Sequence, residues 1–286
     1  MPGSGADAQI SVRELAHTVW QGRWFVLAIL AVATLLAASA AFLVTKKYQA
    51  DVVISPVSSD QAGSQLGALV SQFGGLASLA GISGAKDSKT SESLAVLQSE
   101  ALTQSYIEKN NLLPILFASK WDAARKQWRE SNPERIPTLW RGNEYFGNKV
   151  RTVTTDAKTG LVTLSITWTD PVLAAKWANE LVAYANQVLQ NKAIREADRN
   201  IAYLNDEARK TEVVEVRQAI YSLLQTEINK AMLARGSDEY ALKTIDPAFV
   251  PERAYFPNFI IWTLVGFFTG LLLSISALFM RSSWRA

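Results

Sequence analysis

The side chains that carry most enzyme chemistry are scarce in this chain of 286 residues, which holds one histidine, His17, and no cysteine. A general base works only beside the group it deprotonates, and a zinc site needs several nitrogen or sulfur ligands. His17 has no second ligand or partner nearby, so it points to no catalytic role. The lack of cysteine excludes disulfides and thiolate metal sites and leaves the redox compartment open. Asp206 and Glu207 are adjacent acids on the solvated side of a helical pattern, not a converging glycosidase-type pair. Gly84-Ala-Lys86 lacks both the P-loop spacing and the Ser/Thr that holds magnesium. The formal net charge is +3, and Lys and Arg form no run of five or more. That excludes a nucleic-acid footprint. The expectation is a protein without catalysis, cofactor or metal.

The elements that must position everything else are apolar. Phe259 to Met280 is twenty-two residues long, thirteen of them Leu, Ile, Val or Phe, and no charge lies between Pro257 and Arg281. As a helix it spans about 33 Å, enough for the roughly 30 Å hydrocarbon layer of a bilayer. On an insertion scale those thirteen side chains contribute about −4 to −8 kcal/mol. A second uncharged run, Trp24 to Val44, lies between Arg23 and Lys46-Lys47. Its rival reading is a cleaved signal peptide, because Ala38-Ser39-Ala40 resembles a cleavage site. The run is longer than a signal core, and a strand-like segment follows without a spacer, which favours a span. Before it, Ser11 can cap a short interfacial helix carrying Leu15 and Val19, with Trp20 and Trp24 at headgroup depth. Ala33, Ala37 and Ala41 form a small-residue stripe, and Gly266-Phe-Phe-Thr-Gly270 is a GxxxG. Antiparallel spans with level midpoints would place Ala37 near Gly266 and Ala33 near Gly270, within one subunit or between two.

Hydrophobic residues make up 49% and charged residues 19% of the chain, so the middle must fold in water. Tyr48, Ala50, Val52 and Ile54 alternate as a half-buried strand that Pro56 ends. Gln61 to Ala85 carries no charge and holds six glycines. Leu66, Leu69, Val70, Phe73, Leu76 and Leu79 recur at helical spacing there, weakened by Gly67, Gly74 and Gly75. Gly74, Gly75, Leu76 and Gly81 are candidates for a mobile or cavity-lining segment, against a plain packing helix. Lys86 to Thr90 reads as a charged loop, and Ser91 opens a helix that Asn110-Asn111 and Pro114 stop. Trp121 to Arg135 is polar with Trp128 as its core contact, and Pro133 and Pro137 mark a loop. Val150 to Thr155 and Leu161 to Trp168 flank Asp156-Ala-Lys-Thr-Gly160 as a hairpin.

Asp170-Pro171 supplies an N-cap and a first-turn proline, and no Gly or Pro follows until Gly236. Leu181, Ala185, Val188, Ile194, Ala197, Ile201, Leu204 and Ala208 mark an apolar stripe along it. The run is either one rod of about 95 Å or a helical hairpin of about 55 Å turning near Arg209 to Glu212. The β-branched Thr211, Val213, Val214 and Val216 favour a kink or turn there. Such a stripe exceeds what a small sheet covers, so part of it is expected to bury against other subunits. Tyr240 to Ile245 forms a last strand, paired in one sheet with the strand after the first span. Pro247, Pro251 and Pro257 make a stiff extended connection to the second span.

These residues together resemble the bacterial polysaccharide co-polymerases, the Wzz-type chain-length determinants. The likeness rests on Leu15 and Trp20-Gln-Gly-Arg-Trp24, Tyr48-Gln-Ala with Ile54-Ser-Pro56, and Gly75-Leu-Ala-Ser-Leu-Ala-Gly-Ile82. It continues in Lys158-Thr-Gly-Leu-Val-Thr-Leu-Ser-Ile166, Asp170-Pro with Ala174-Ala-Lys-Trp-Ala-Asn179, and Ile245-Asp-Pro-Ala248 with Pro251 and Pro257. The resemblance implies an inner-membrane α+β protein: a small sheet base and a long helical arm, flanked by two transmembrane helices. Its implied division is a cytoplasmic segment 1–23, a span 24–44, a periplasmic domain 45–258, a span 259–280 and a cytoplasmic tail 281–286. Basic ends, with Arg13, Arg23, Arg281 and Arg285 against Asp7 and Glu14, agree with cytoplasmic termini, although Lys46 and Lys47 oppose that signal. The implied role is control of surface-polysaccharide length by a homo-oligomeric ring, often of eight subunits, beside a Wzy-type polymerase and the growing glycan. Some relatives carry a P-loop kinase domain after the second span; here only Arg281 to Ala286 follow it. An adaptor for capsule or exopolysaccharide export is the alternative.

Overall fold

The computed structural model describes residues 23–57 and 85–283. The lead-in helix, His17 and the glycine-rich stretch with Gly74, Gly75, Leu76 and Gly81 lie outside the described residues. Among the described residues, those from Tyr48 to Glu252 form one compact unit, and those up to Lys47 with those from Arg253 onward form another.

In chain order, α1 (Arg23–Leu43) precedes β1 (Tyr48–Pro56), and α2 (Ala85–Gln98), α3 (Glu100–Lys109) and α4 (Leu113–Leu116) follow. Next come the two-residue strands β2 (Trp121–Asp122) and β3 (Gln127–Trp128), and α5 (Leu139–Tyr145), which runs into a π-turn over Phe146–Val150. Then β4 (Arg151–Thr155) and β5 (Val162–Trp168) lead to α6 (Pro171–Lys210), α7 (Val214–Arg235), β6 (Leu242–Asp246) and α8 (Phe259–Ser283).

The larger unit is α+β, built on an antiparallel sheet of order β4-β5-β1-β6. Alternation decides its buried face. Ala50, Val52 and Ile54 of β1 lie beside Ile166, Leu164 and Val162 of β5 in direct register, and all six are buried. The hairpin before them closes as its turn residues dictate. Gly160 sits at φ 70°, its N–H donates to the Asp156 carbonyl at 2.8 Å, and Asp156 Oδ1 accepts from the Lys158 N–H. Helix α6 covers the sheet with Ala174, Trp177, Ala178, Leu181 and Ala185, and its alanines let the backbone come close.

Seven rings form a continuous chain through this core. Tyr184 touches Tyr106, Tyr106 touches Phe146, Phe146 touches Trp177 and Trp177 touches Trp168, with centroids 5.2 to 6.2 Å apart. Tyr145 and Phe117 extend it from Trp168 at 6.4 and 5.6 Å. Edge and tilted contacts of this kind add about 0.5–1.5 kcal/mol each beyond burial.

Four local expectations need correction. Lys86 to Thr90 is helical within α2, not a loop. The helix expected to run unbroken to Asn110 is split at Ser99, whose Oγ accepts from the Leu102 N–H at 3.1 Å and donates to the Val96 carbonyl at 2.8 Å. A serine that bonds both ends of a turn in this way competes with helix continuation. Pro114 does not stop a helix either; it lies in the first turn of α4, where a missing N–H costs nothing. Trp128 is no core contact, because it pairs across β2–β3 with Trp121, ring centroids 4.9 Å apart, outside the main core cluster.

The long helical run is a hairpin. Helix α6 stops at Thr211, which with Val213 takes extended backbone, as β-branched residues favour. Arg217 stabilises the turn by donating to the Thr211 carbonyl at 2.6 and 3.2 Å. Helix α7 then returns along α6 through Ile220, Ala231 and Ala234, which are buried, as are Ala197 and Ala208 on α6. Gln190 Nε2 donates to the Ala234 and Ser237 carbonyls, and Arg235 pairs with both oxygens of Asp198 at 2.8 and 2.9 Å. The distal stripe is thus covered in part by its own chain: Ala197 and Ala208 are buried, while Ile194, Ile201 and Leu204 stay half-buried.

Candidate functional site

Among the described residues no cluster of His, Asp or Glu is placed to hold a metal ion. Asp206 is exposed and accepts from Lys210 one helical turn on, so it serves as a helix ion pair. The features that stand out are packed surfaces and hydrogen-bonded clamps, each within one of the two units.

In the smaller unit, α1 and α8 are long and apolar enough to cross a membrane. They pack antiparallel. Gly266 and Gly270 are buried, and a Cβ built on Gly266 would lie closer to the Ala37 methyl than real Cβ atoms approach. One on Gly270 would lie 2.8 Å from the Ala33 Cβ and 3.3 Å from the Leu30 Cα. Glycine is required at both because the Ala37 and Ala33 methyls, with the α1 backbone just behind them, occupy the space a side chain would take. Ala41 is buried as well, and Phe42 meets Phe259 edge-on at 5.6 Å. Just beyond the helix ends, the Lys47 N–H donates to the Phe256 carbonyl at 2.9 Å, and the Tyr255 N–H donates back to the Lys47 carbonyl at 2.8 Å. This bridge fixes the entry of α8 beside the exit of α1.

The proline segment before α8 is neither helix nor ordinary strand. Pro247 is exposed, Pro251 is half-buried and Pro257 follows a cis peptide bond. What holds its first part is a pair of asparagines seven residues apart on α6, a spacing that puts both on one face. Asn179 Nδ2 donates to the Ala248 carbonyl, and the Ala248 N–H donates to Asn179 Oδ1, both at 2.9 Å. Asn186 is buried, donates to the Leu242 carbonyl at 2.7 Å and accepts from the Ala241 and Leu242 N–H groups at 3.0 and 2.8 Å. These two residues do for β6 and its continuation what a neighbouring strand would do. Sequence reasoning missed this role, although two polar residues inside the apolar face of Leu181, Ala185 and Leu189 were the available signal.

A second, half-buried clamp joins α2 and α3 to β4. Arg151 donates to the Leu97 carbonyl at 2.9 Å, the Gln98 carbonyl at 2.8 Å and Thr103 Oγ1 at 2.7 Å. It answers carbonyls that the break at Ser99 leaves open. Burial lowers the Arg151 pKa from its ordinary value. Nearby, Tyr106 is pushed up from the usual phenol range, first by burial and then by the Glu180 carboxylate that accepts its hydrogen bond at 3.0 Å.

The helical hairpin leaves an apolar stripe outward. Val214, Tyr221, Ile228 and Met232 are spaced by seven, seven and four, and Val214 and Met232 are 68% and 64% exposed. That spacing keeps the four on one side of α7, distinct from the side that carries Ile220, Ala231 and Ala234 onto α6.

Residues 8–110 match the family described as Wzz, chain length determinant protein. No curated protein matches the chain. Among solved structures, a full-length bacterial polysaccharide co-polymerase is similar with 11% identity and a TM-score of 0.41, covering 96% of this chain and 98% of its own. A fragment of WzzB, a polysaccharide co-polymerase from Salmonella Typhimurium, is similar with 14% identity and a TM-score of 0.32, covering 74% of this chain and 100% of its own.

Proposed function

We propose that this chain is a member of the Wzz-type chain length determinant family and sets the length distribution of a surface polysaccharide as a non-enzymatic partner of a Wzy-type membrane polymerase. The family match over residues 8–110 carries the reading, because it runs through the first apolar helix and strand β1 into α3. Chain-length regulation is the family's role; the polymerase partner, an O-antigen or related glycan as product, and the absence of catalysis are our reading of this chain. The packed pair α1 and α8 supports anchorage in the inner membrane at two points. Both termini are then cytoplasmic and the unit Tyr48–Glu252 periplasmic, since long segments translocate largely regardless of charge. The outward stripe on α7 supports assembly with further copies, in a ring or another closed form. Held in that way, repeated copies give a polymerase or its growing product several equivalent contact surfaces, and chain extension is biased without a chemical step.

The deciding experiment is a surface-polysaccharide ladder from a strain lacking this protein, with and without its restoration from a plasmid. Polymer that persists with a flattened length distribution supports the regulator. Complete loss of surface polymer replaces that reading with an export adaptor.

A further inference from the structure

Lys46 and Lys47 oppose the charge bias expected for the translocated end of a span, and neither the sheet nor the packing of α1 on α8 uses them. Lys46 is exposed and Lys47 half-buried, and Arg253 lies exposed at the start of the return segment. Among the described residues no carboxylate pairs with any of the three. Glu252, beside Arg253 in sequence, is the one acid in these two short stretches, so cationic charge prevails. The backbone bridge from Lys47 to Tyr255 and Phe256 holds the two stretches together where α1 has ended and α8 is about to begin.

Aromatic rings cluster at the same end of the helix pair. Phe42 meets Phe259, Phe256 meets Trp262 at 6.3 Å, and Tyr255 is 62% exposed. Amphipathic rings at the end of an apolar helix mark the boundary between hydrocarbon and headgroups. Lysine and arginine there extend toward lipid phosphates while their stems stay on apolar surface. A free anion would gain nothing from the exposed rings, whereas a lipid satisfies both halves of the surface: phosphate on the cations and acyl chain along the helices.

From this we propose that Lys46, Lys47 and Arg253, set against Tyr255, Phe256 and Trp262, form a binding collar for the phosphate headgroup of an anionic phospholipid at this end of the helix pair. The proposal rests on α1 and α8 being membrane spans and is independent of any role in polysaccharide length.

The test uses the full chain purified in nanodiscs of phosphatidylglycerol and phosphatidylcholine, with retained lipid counted by native mass spectrometry. Wild-type protein is expected to keep phosphatidylglycerol in preference to phosphatidylcholine. The combined variant Lys46→Gln, Lys47→Gln, Arg253→Gln is expected to keep about tenfold less, a conservative figure for three cations near an anionic surface. The charge-preserving variant Lys46→Arg, Lys47→Arg is expected to keep it. Equal phosphatidylglycerol on the triple variant overturns the collar, and so does displacement of the lipid by millimolar inorganic phosphate. Recovery of the wild-type chain outside the membrane fraction overturns the spans themselves and the collar with them, whereas membrane-bound triple variant with lost lipid supports both.

Discussion

The carboxamide of Asn179 and the peptide groups of Ala248 satisfy one another in both directions at 2.9 Å, so a helix side chain stands in for a strand partner beyond the last strand. Seven residues on, Asn186 repeats the device at Ala241 and Leu242. Replacing Asn186 by Leu leaves three backbone groups without partners in a buried place and is expected to cost about 2–4 kcal/mol. Asn179→Leu, at a less buried position, is expected to cost about 1–3 kcal/mol. Thermal unfolding of the full chain in detergent measures both, and an unchanged midpoint for Asn186→Leu contradicts the clamp.

Arg151 closes the break between α2 and α3 through three acceptors. Arg151→Met is expected to destabilise by about 3 kcal/mol, since hydrogen bonds from a charged donor are worth about 1.5–3 kcal/mol. Arg151→Lys keeps the charge but cannot reach three acceptors with one nitrogen, so about half that loss is expected. Equal stability of the lysine variant and the wild type in the same melt would remove the geometric argument.

Tyr106 gives the alkaline limb of stability its sign. Its folded pKa is raised by burial and by Glu180, so the unfolded chain releases this proton first. The stabilisation is complete below the unfolded phenol value of about 10 and is lost as pH rises from there toward the folded value. Tyr106→Phe is expected to flatten the decline above pH 10 by up to about 1.4 kcal/mol per pH unit. Denaturation curves at pH 9, 10 and 11 distinguish this from a variant that merely lowers stability at every pH.

The helix pair can be tested chemically because the chain has no native cysteine. Phe42→Cys with Phe259→Cys, at positions whose rings meet across the pair, is expected to be joined by a short bis-maleimide crosslinker, running as a monomer on a non-reducing gel. Val32→Cys with Phe259→Cys, with Val32 exposed and about 15 Å along α1 from Phe42, is the control expected to stay unlinked. A dimer band from the first pair would place the close contact between copies.

Charge on the outward stripe of α7 addresses assembly. Tyr221→Glu with Ile228→Lys leaves the Ile220, Ala231 and Ala234 seam intact and is expected to lower the mass of the assembly seen by light scattering. The far-ultraviolet circular dichroism should stay unchanged. An unaltered mass would move the contact between copies to another face.

Local chemistry was legible in the sequence and distant partnership was not. The Asp170-Pro171 start, the Asp156 to Gly160 turn and the alternation of β1 and β5 are each set by neighbouring residues. So is the arrest at Thr211, where β-branching acts on the backbone directly. The ring chain from Tyr184 to Phe117 depends on contacts between helices far apart in sequence, and Trp128 looked like a core residue only because its true neighbour, Trp121, is held by a two-residue strand. Arg151 gave no signal, because its acceptors arise from a helix break at Ser99 that periodicity across Leu94, Leu97 and Leu102 conceals.

Helix α6 has no interruption between the sheet and the turn at Thr211, and its forty residues extend about 60 Å. A swing of about 5° pivoting at its sheet end would carry the turn through about 5 Å on that length. It thus behaves as a lever: a load applied at the far turn arrives as torque on Asn186 and Asn179. Those amides, rather than a flexible joint, would be where such strain is first felt.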